Sequence, residues 1–318
     1  MSFALVFPGQ GSQHVGMGQA LAEAFPEAEA SLAEAEAAFA AAANGGPPAS
    51  LRAMLAAGPD ERLMLTEHAQ PAILAVSVAA YRVLAARGLE PAFVAGHSLG
   101  EYSAHVASGT LSLSDGVSIV RRRGRYMQEA VPLGTGAMAA ILGADVALVE
   151  QACREAADGE VVSPANLNAP GQVVIAGHTA AVQRASDRAR ALGARKTVAL
   201  SVSAPFHCAL MQPAQERLEP ELRGLGAHDP RVPVVANVDA EPKRDAESSL
   251  AALVRQVSAP VRWQDVIQRL AAEGVTTYVE VGPGTVLSSL IKKIHKDARI
   301  VSFSGPDQLA AVCAACAN

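Results

Sequence analysis

The chain has 318 residues, of which half are apolar and 18% are charged. This composition predicts a sizeable buried core, allows two domains and excludes a largely disordered chain. With 26 basic and 31 acidic side chains, the formal net charge is −5, so the protein has no general attraction for nucleic acid or an anionic membrane.

The start of the chain carries no recognisable targeting segment. Its first apolar run stops at Pro8 and no basic residue precedes it, which argues against a secretory signal. No apolar run approaches the roughly 18 residues of a membrane span.

Four cysteines in a chain this long do not form a disulfide framework, and the C-x-x-C at Cys313 and Cys316 lacks a strand–helix redox context. A reduced, cytoplasmic protein is expected.

Short apolar runs alternate with longer helical patterns along the whole chain. The first strand is predicted at 3–7, helices at 27–43 and 68–87, and a Gly-Pro-rich loop at 44–49. Further strands are predicted at 92–95, 232–238, 276–281 and 299–303. Continuous apolar strands separated by helices indicate an α/β fold, with a parallel sheet covered on both faces.

One stretch has a different order of elements. Between residues 137 and 202 the patterns alternate as β-α-β-β-α-β, with strands at 137–142, 160–163, 172–176 and 195–202 and helices at 146–157 and 180–192. This order is that of a ferredoxin-like unit. We therefore predict a small domain at 132–202 inserted into a large α/β domain formed by 1–131 and 203–318, with a small-molecule site in the cleft between them.

The most specific local signal is G-H-S-L-G, from Gly96 to Gly100. It follows a predicted strand and precedes a helical run, which is the context of a nucleophile elbow. In that geometry Ser98 presents its hydroxyl at a sharp turn, and the backbone N–H of Leu99 points to where an oxyanion would form. The alternative is a glycine-flanked helix cap.

A serine nucleophile requires a base, and the chain has eight histidines. The elbow turns His97 away from the hydroxyl, and His105 lies further along the helix. His207 follows the inserted domain and is therefore placed at the interdomain cleft. The residues alone leave the choice of base open, and no acidic residue stands out as its partner.

A glycine-rich loop, F-P-G-Q-G-S-Q, follows the first strand. It lacks the lysine of a phosphate-binding loop and the spacing of a dinucleotide fingerprint. The backbone of Gln10 could instead supply a second oxyanion donor.

Four arginines lie on the helix predicted at 114–129, and only Arg123 projects onto its apolar stripe. A buried guanidinium needs an anionic partner. A structural salt bridge and a ligand carboxylate both satisfy that need, and guanidinium binds a carboxylate through two parallel hydrogen bonds.

Taken together, these motifs resemble the malonyl-CoA:acyl carrier protein transacylase family over essentially the whole chain. The resemblance rests on eight segments, F-P-G-Q-G-S-Q at 7–13, G-H-S-L-G-E-Y at 96–102, R-x-M-Q at 125–128, N-x-P-G-Q-V-V-I-A-G at 168–177, F-H-C at 206–208, N-V-D at 237–239, R-Q-V at 255–257 and E-V-G-P-G at 280–284. It implies a hydrolase-like large domain with a ferredoxin-like insertion.

The resemblance also implies a ping-pong transfer of malonyl from malonyl-CoA to the phosphopantetheine thiol of holo acyl carrier protein, supplying fatty acid biosynthesis. Ser98 would carry the malonyl group, His207 would act as base, and the backbone N–H groups of Gln10 and Leu99 would hold the oxyanion. Arg123 would bind the free carboxylate.

In this family a backbone carbonyl near the residue matching Gln256 orients the histidine, and Gln256 is expected at the substrate site. Phe206 would lie beside the acyl pocket and favour malonyl over methylmalonyl. No cofactor or metal is expected, because the partner protein carries the phosphopantetheine. Carrier proteins are acidic, so Lys292, Lys293 and Lys296 are candidates for a basic docking patch.

Three alternatives remain at the level of sequence. A stand-alone acyltransferase of a polyketide synthase would share all of these motifs. A serine esterase or thioesterase would need only the elbow, and Arg123 argues against it. A non-catalytic module that binds carrier proteins would leave the elbow without a function.

Overall fold

The computed structural model describes residues 2–42, 49–132 and 134–317, which fold around two separate β-sheets. Residues 44–48 of the predicted loop lie outside the described residues. The mixed α/β architecture expected from the sequence is confirmed, with a larger, mainly parallel sheet and a smaller antiparallel one.

The large sheet has six strands in the order β10-β9-β1-β2-β7-β8. All neighbouring pairs are parallel except the edge pair β7–β8. The strands are β1 Phe3–Phe7, β2 Phe93–Gly96, β7 Val234–Val235, β8 Pro242–Lys243, β9 Thr277–Val281 and β10 Arg299–Phe303. Four predicted strands are therefore confirmed to within a residue at each end.

The strand predicted at 232–238 is wrong in length, since only Val234 and Val235 pair as a strand. Beyond them the backbone leaves the sheet, because the N–H of Asn237 donates to the carboxylate of Glu101 instead of to a neighbouring strand. The same departure brings Asn237 to the elbow.

Both faces of the large sheet are buried. Along β1, Phe3, Leu5 and Phe7 pack into one apolar cluster, whereas Ala4 and Val6 pack into a second cluster on the opposite face. Successive side chains of a strand point to opposite faces, so two buried faces require an apolar residue at every position. This explains the uninterrupted apolar run F-A-L-V-F.

Helices cover the two faces of the large sheet. The predicted segments 27–43, 68–87 and 114–129 are confirmed as α2, α5 and α7. The helices outside the small sheet are α1 Gln19–Ala24, α2 Pro26–Ala41, α3 Leu51–Ala57, α4 Asp60–Leu63, α5 Thr66–Ala85, α6 Leu99–Ala107, α7 Leu113–Glu129, α10 Gln212–Arg223, α11 Ala246–Gln256, α12 Trp263–Ala272, α13 Val286–Ile294 and α14 Leu309–Cys316.

The small sheet has the order β4-β5-β3-β6, and all its pairs are antiparallel. Its elements are β3 Gly136–Leu142, α8 Val146–Ala156, β4 Val162–Ala169, β5 Gln172–His178, α9 Thr179–Ala191 and β6 Lys196–Ala199. The predicted β-α-β-β-α-β order is therefore present. These elements lie within the predicted insertion, whose boundaries at 132 and 202 stay a prediction.

Two strands of the small sheet differ from their predicted bounds. The strand predicted at 160–163 is instead β4, which continues to Ala169. Its register shifts between Pro164 and Asn166 and again between Leu167 and Ala169. Such bulges break the alternation by which strands are identified, so the pattern could not reveal the full length. The strand predicted at 195–202 is shorter, because β6 ends at Ala199.

Backbone hydrogen bonds join the two sheets close to the site. The N–H of Leu167 donates to the carbonyl of Val261 over 2.8 Å, and the N–H of Val261 donates to Ala165 over 2.9 Å. Strand β4 of the small sheet is thereby attached to the segment that follows α11.

Candidate active site

Ser98 occupies a strained turn between β2 and α6. Its φ of 52° and ψ of −106° are rare for a residue with a side chain. The turn requires glycine on both sides, because a Cβ on Gly96 would lie 1.9 Å from the backbone of Gly100, and one on Gly100 would lie 2.0 Å from the carbonyl oxygen of Phe7. The sequence G-x-S-x-G is thus explained by close backbone approach.

The Ser98 hydroxyl lies 2.7 Å from Nε2 of His207. Nδ1 of His207 lies 2.9 Å from the backbone carbonyl of Gln256. A carbonyl oxygen only accepts, so Nδ1 carries the proton and Nε2 is left to accept from the Ser98 hydroxyl. Burial, together with the nearby charge of Arg123, lowers the pKa of His207 to about 3, which keeps the ring neutral at physiological pH.

Arg123 projects from α7 into the same site and is only 2% exposed. Its Nη1 donates to Oε1 of Gln70 over 2.8 Å. Its Nη2 donates to the Ser98 hydroxyl over 3.1 Å and to Oε1 of Gln256 over 2.9 Å. The guanidinium lies 5.2 Å from the ring centroid of Tyr102.

No carboxylate forms an ion pair with Arg123 among the residues that the structure describes. Burial lowers its pKa from 12.5, yet arginine remains charged in proteins. The salt-bridge alternative is therefore not what the structure contains, and a buried cation is left with neutral partners.

Two amide side chains hold the backbone of the elbow. Asn237 accepts from the N–H of Ser98 over 2.7 Å and donates to the carbonyl of Gly96 over 2.7 Å. Gln256 donates through Nε2 to the carbonyl of Ser98 over 2.8 Å. The strained peptide is thus fixed from both sides.

Glu101, in the first turn of α6, is fully buried behind the elbow. Its Oε2 accepts from Nε2 of Gln256 over 2.8 Å and from the N–H of Asn237 over 3.0 Å. Burial raises its pKa to about 7, against the opposing effect of these hydrogen bonds. Sequence reasoning missed Glu101 and Asn237 as site residues, although both lie in the quoted motifs G-H-S-L-G-E-Y and N-V-D.

Of the two predicted oxyanion donors, Leu99 begins α6 directly after Ser98, and Gln10 lies three residues after β1. Within residues 2–42, 49–132 and 134–317, the backbone N–H groups of Gln10 and Leu99 donate to no protein acceptor. The side chain of Gln10 is anchored separately, because its Nε2 donates to the Thr66 hydroxyl over 3.3 Å.

One cavity of about 650 Å³ brings these groups together. Ser98, Arg123 and His207 line it, as the sequence predicts for a shared site. Phe206 and Gln10 also line this cavity, whereas Gln256 is fully buried and does not. Gln256 contacts Arg123 and Ser98, which do line the cavity, and its role at the substrate site stays a prediction. Met138 and Asn166 of the small sheet, and Leu200 just after its last strand, also line the cavity.

Neighbouring residues have other partners. Nε2 of His97 lies 2.8 Å from Oδ1 of Asn168 on β4, so its ring is not bonded to Ser98. His105 is fully buried, and its ring nitrogens have no hydrogen-bond partner among the described residues. Cys208 is buried and its thiol donates to the carbonyl of Pro205.

The other arginines of α7 face away from the cavity. Arg122 pairs with Glu221 and Arg125 with Glu129, while Arg121 donates to the carbonyl of Phe39.

The predicted lysine patch lies at the end of α13, where Lys293 donates to Gln172.

Cys313 and Cys316 are free thiols on α14. In the part of the chain that the structure covers, no helix is both long and apolar enough to cross a membrane.

Comparison with known proteins identifies the class of this fold and site. The acyl transferase domain family matches residues 4–312. The malonyl CoA-acyl carrier protein transacylase of Escherichia coli (strain K12) is 48% identical over 310 residues, which cover 97% of this chain and 98% of that protein. The corresponding protein of Bacillus subtilis is 43% identical, with 96% and 94% covered.

Solved structures agree with this class. The malonyl CoA-acyl carrier protein transacylase of Coxiella burnetii has a TM-score of 0.95 at 41% identity, covering 100% of this chain and 98% of that one. A malonyl-transacylase in complex with its type II polyketide synthase acyl-carrier protein has a TM-score of 0.94 at 44% identity, with both chains fully covered. The chain therefore belongs to the acyl transferase family and, within it, to the malonyl CoA-acyl carrier protein transacylases.

Proposed function

We propose that this protein transfers the malonyl group of malonyl-CoA to the phosphopantetheine thiol of acyl carrier protein through a malonyl ester of Ser98. The observation that carries the proposal is the single cavity in which Ser98, His207 and Arg123 meet. A nucleophile, its base and an unpaired buried cation are what a thioester with a free carboxylate requires.

In the first half-reaction, neutral His207 takes the proton of the Ser98 hydroxyl at Nε2. The Ser98 oxygen forms a bond to the thioester carbon, and the resulting oxyanion accepts hydrogen bonds from the N–H groups of Gln10 and Leu99. The carbon–sulfur bond then breaks, and CoA leaves as a thiol with the proton from His207. The malonyl group remains as an ester on Ser98.

The second half-reaction reverses these roles. The phosphopantetheine thiol gives its proton to His207, and its sulfur attacks the ester carbon. The Ser98 oxygen leaves and recovers the proton, so the enzyme returns to its starting state. Two half-reactions through one ester constitute a ping-pong mechanism. The protein supplies no cofactor to either step in this proposal.

Arg123 provides acyl selectivity in this scheme. The malonyl carboxylate would pair with a guanidinium that otherwise has only neutral partners, whereas an acetyl group would leave the buried charge unpaired. Phe206 lines the same cavity, and its bulk leaves little room for the α-methyl group of methylmalonyl. The unpaired Arg123 also favours this function over a simple esterase.

We propose fatty acid biosynthesis as the destination of the malonyl group, since the curated relatives carry no polyketide carrier in their names. The alternative is a polyketide pathway, which the malonyl-transacylase in complex with a type II polyketide synthase carrier supports. We also propose a cytoplasmic location, in keeping with the four free thiols.

The direct test is transfer of labelled malonyl from malonyl-CoA to two purified holo carrier proteins, one from fatty acid and one from type II polyketide synthesis. Faster loading of the fatty acid carrier is the expected result. Loading of the polyketide carrier alone would favour the alternative pathway. Release of free malonate without loading of either carrier would show a thioesterase and contradict the proposed function.

A further inference from the structure

Glu101 is a fully buried carboxyl group that does not line the cavity, and the proposed reaction gives it no step. One of its oxygens, Oε2, receives two hydrogen bonds, from the Gln256 side chain and from the Asn237 backbone. Both donors belong to residues that also hold the peptide of Ser98. Glu101 is therefore the common acceptor of the network behind the elbow.

The hydrogen bond to Glu101, together with the one to the carbonyl of Ser98, fixes which way round the side-chain amide of Gln256 lies. Because Nε2 of Gln256 donates to Glu101 and to the carbonyl of Ser98, Oε1 is on the opposite side, 2.9 Å from Nη2 of Arg123. A reversed amide would present its N–H groups to the guanidinium, which has only donors. An acceptor at position 101 thus specifies the orientation in which Gln256 can hold Arg123.

Glu101 acts on Arg123 without forming an ion pair with it. Neither residue belongs to an ion pair among the described residues, and Gln256 lies between them as a neutral bridge. A direct pair would occupy the guanidinium that the malonyl carboxylate has to reach. Asp239, whose charge acts on Glu101, pairs separately with Lys243 and Arg255.

We propose that Glu101 is a positioning residue for acyl selectivity: through Gln256 it holds the Arg123 guanidinium where the free carboxylate of the acyl group binds. This inference rests on the proposed function. It assigns to the buried glutamate an effect on the choice between malonyl and acetyl that a merely structural residue would not have.

The test compares Glu101→Gln with Glu101→Asp. Glutamine keeps the reach and the acceptor, and the other carboxylate oxygen has no partner among the described residues, so an amide nitrogen there breaks no hydrogen bond. Aspartate keeps the carboxyl group but is one methylene too short to reach Gln256. KM and kcat for malonyl-CoA and acetyl-CoA are measured for both variants.

We expect Glu101→Asp to lower the malonyl-to-acetyl preference about tenfold, mainly through the KM for malonyl-CoA, which corresponds to one charged hydrogen bond. Glu101→Gln should keep the preference within about threefold. Equal loss of kcat for both substrates with unchanged preference would overturn the proposal, as would a loss of preference in Glu101→Gln as large as that in Glu101→Asp.

Glu280 provides the matched control. It is also fully buried, and its carboxylate accepts from the N–H groups of Leu287 and Ser288 at the start of α13. Glu280→Gln and Glu280→Asp should lower stability without changing acyl preference. If the wild-type protein forms no malonyl-enzyme, the proposed function fails before the variants are compared, so the two failures are distinguishable.

The wild-type protein gives a second readout if Glu101→Asp does not fold. The side-chain amide protons of Gln256, followed by nitrogen-15 NMR, should exchange slowly with solvent and shift when Ser98 is malonylated. Rapid exchange or an unchanged resonance would each overturn the proposal.

Discussion

The two sheets meet the same cavity with different kinds of side chain. The part of the chain that forms the large sheet presents Ser98, Arg123 and His207, which hydrogen bonds hold in place. The small sheet contributes Met138 and Asn166 to the wall, and Leu200 follows its last strand. In the proposed reaction the large-sheet side carries the reacting groups, while the small-sheet side only shapes the cavity.

Ser98→Ala should have the largest effect of any substitution on the large-sheet side. Removing the nucleophile should lower malonyl transfer about 10⁴-fold or more, because no covalent intermediate can form. Transfer to holo carrier protein measures the loss. Ser103→Ala is the matched control, since Ser103 is a buried serine of α6, the helix that follows Ser98, and its hydroxyl has no partner among the described residues. A Ser98→Ala variant that retains rapid transfer would disprove the elbow assignment.

Arg123→Ala should reduce malonyl transfer by at least about tenfold, roughly the 1.4 kcal/mol of a lost charged hydrogen bond, and should affect acetyl transfer much less. The ratio of the two kcat/KM values measures this difference. Arg122→Ala, on the same helix but paired with Glu221 at the surface, should leave the ratio unchanged. Equal losses for malonyl and acetyl would mean that Arg123 is structural.

The large-sheet side should also carry a distinct dependence of stability on pH. Burial lowers the pKa of His105 from 6.5 to about 3. Between these two pH values the imidazole is protonated in the unfolded chain but stays neutral in the folded one. Stability from this group is complete above pH 6.5 and is lost as the pH falls towards 3, by about 1.4 kcal/mol per pH unit.

His105→Leu removes this contribution, so the loss of unfolding free energy between pH 7 and pH 5 should shrink by about 2 kcal/mol. Urea unfolding at the two pH values measures it. If wild type and variant lost the same unfolding free energy between the two pH values, His105 would not titrate as described.

For transfer itself, the lowered pKa of His207 predicts that the acid limb of the pH–rate profile lies well below 6.5.

The smallest effect is expected on the small-sheet side. Asn168→Ala removes the 2.8 Å hydrogen bond between β4 and His97 and should cost about 1 kcal/mol of stability, with only a few-fold loss of transfer. Thermal unfolding and the transfer assay measure the two effects. Gln172→Ala removes an exposed bond from the same sheet to Lys293 and should change neither. If Asn168→Ala reduced transfer as much as Arg123→Ala does, the small sheet would matter as much to the reaction as the large sheet, which would contradict this comparison.

The fold was predictable because its signals are local. Uninterrupted apolar runs identify the parallel strands, and Gly96 and Gly100 identify the turn at Ser98. The bulged strand β4 was underestimated because its register shifts at Pro164 and Leu167 interrupt the pattern.

The contacts behind the site depend on the tertiary fold and were not predictable from the residues alone. Glu101 and Gln256 are 155 residues apart, and their hydrogen bond exists only because the fold brings the last residue of α11 to the elbow. The residues left the choice among eight histidines open, and the resemblance to a family, not the spacing, selected His207. Arg123 was found because a cation on an apolar stripe is locally visible.

The most direct measurement is the site of malonylation in the intact protein. Wild-type protein is exposed to malonyl-CoA, analysed by mass spectrometry with peptide mapping, and then mixed with holo carrier protein. The account predicts one malonyl group on Ser98 that the carrier thiol removes. A malonyl group on any other residue, or one on Ser98 that the carrier cannot remove, would contradict it.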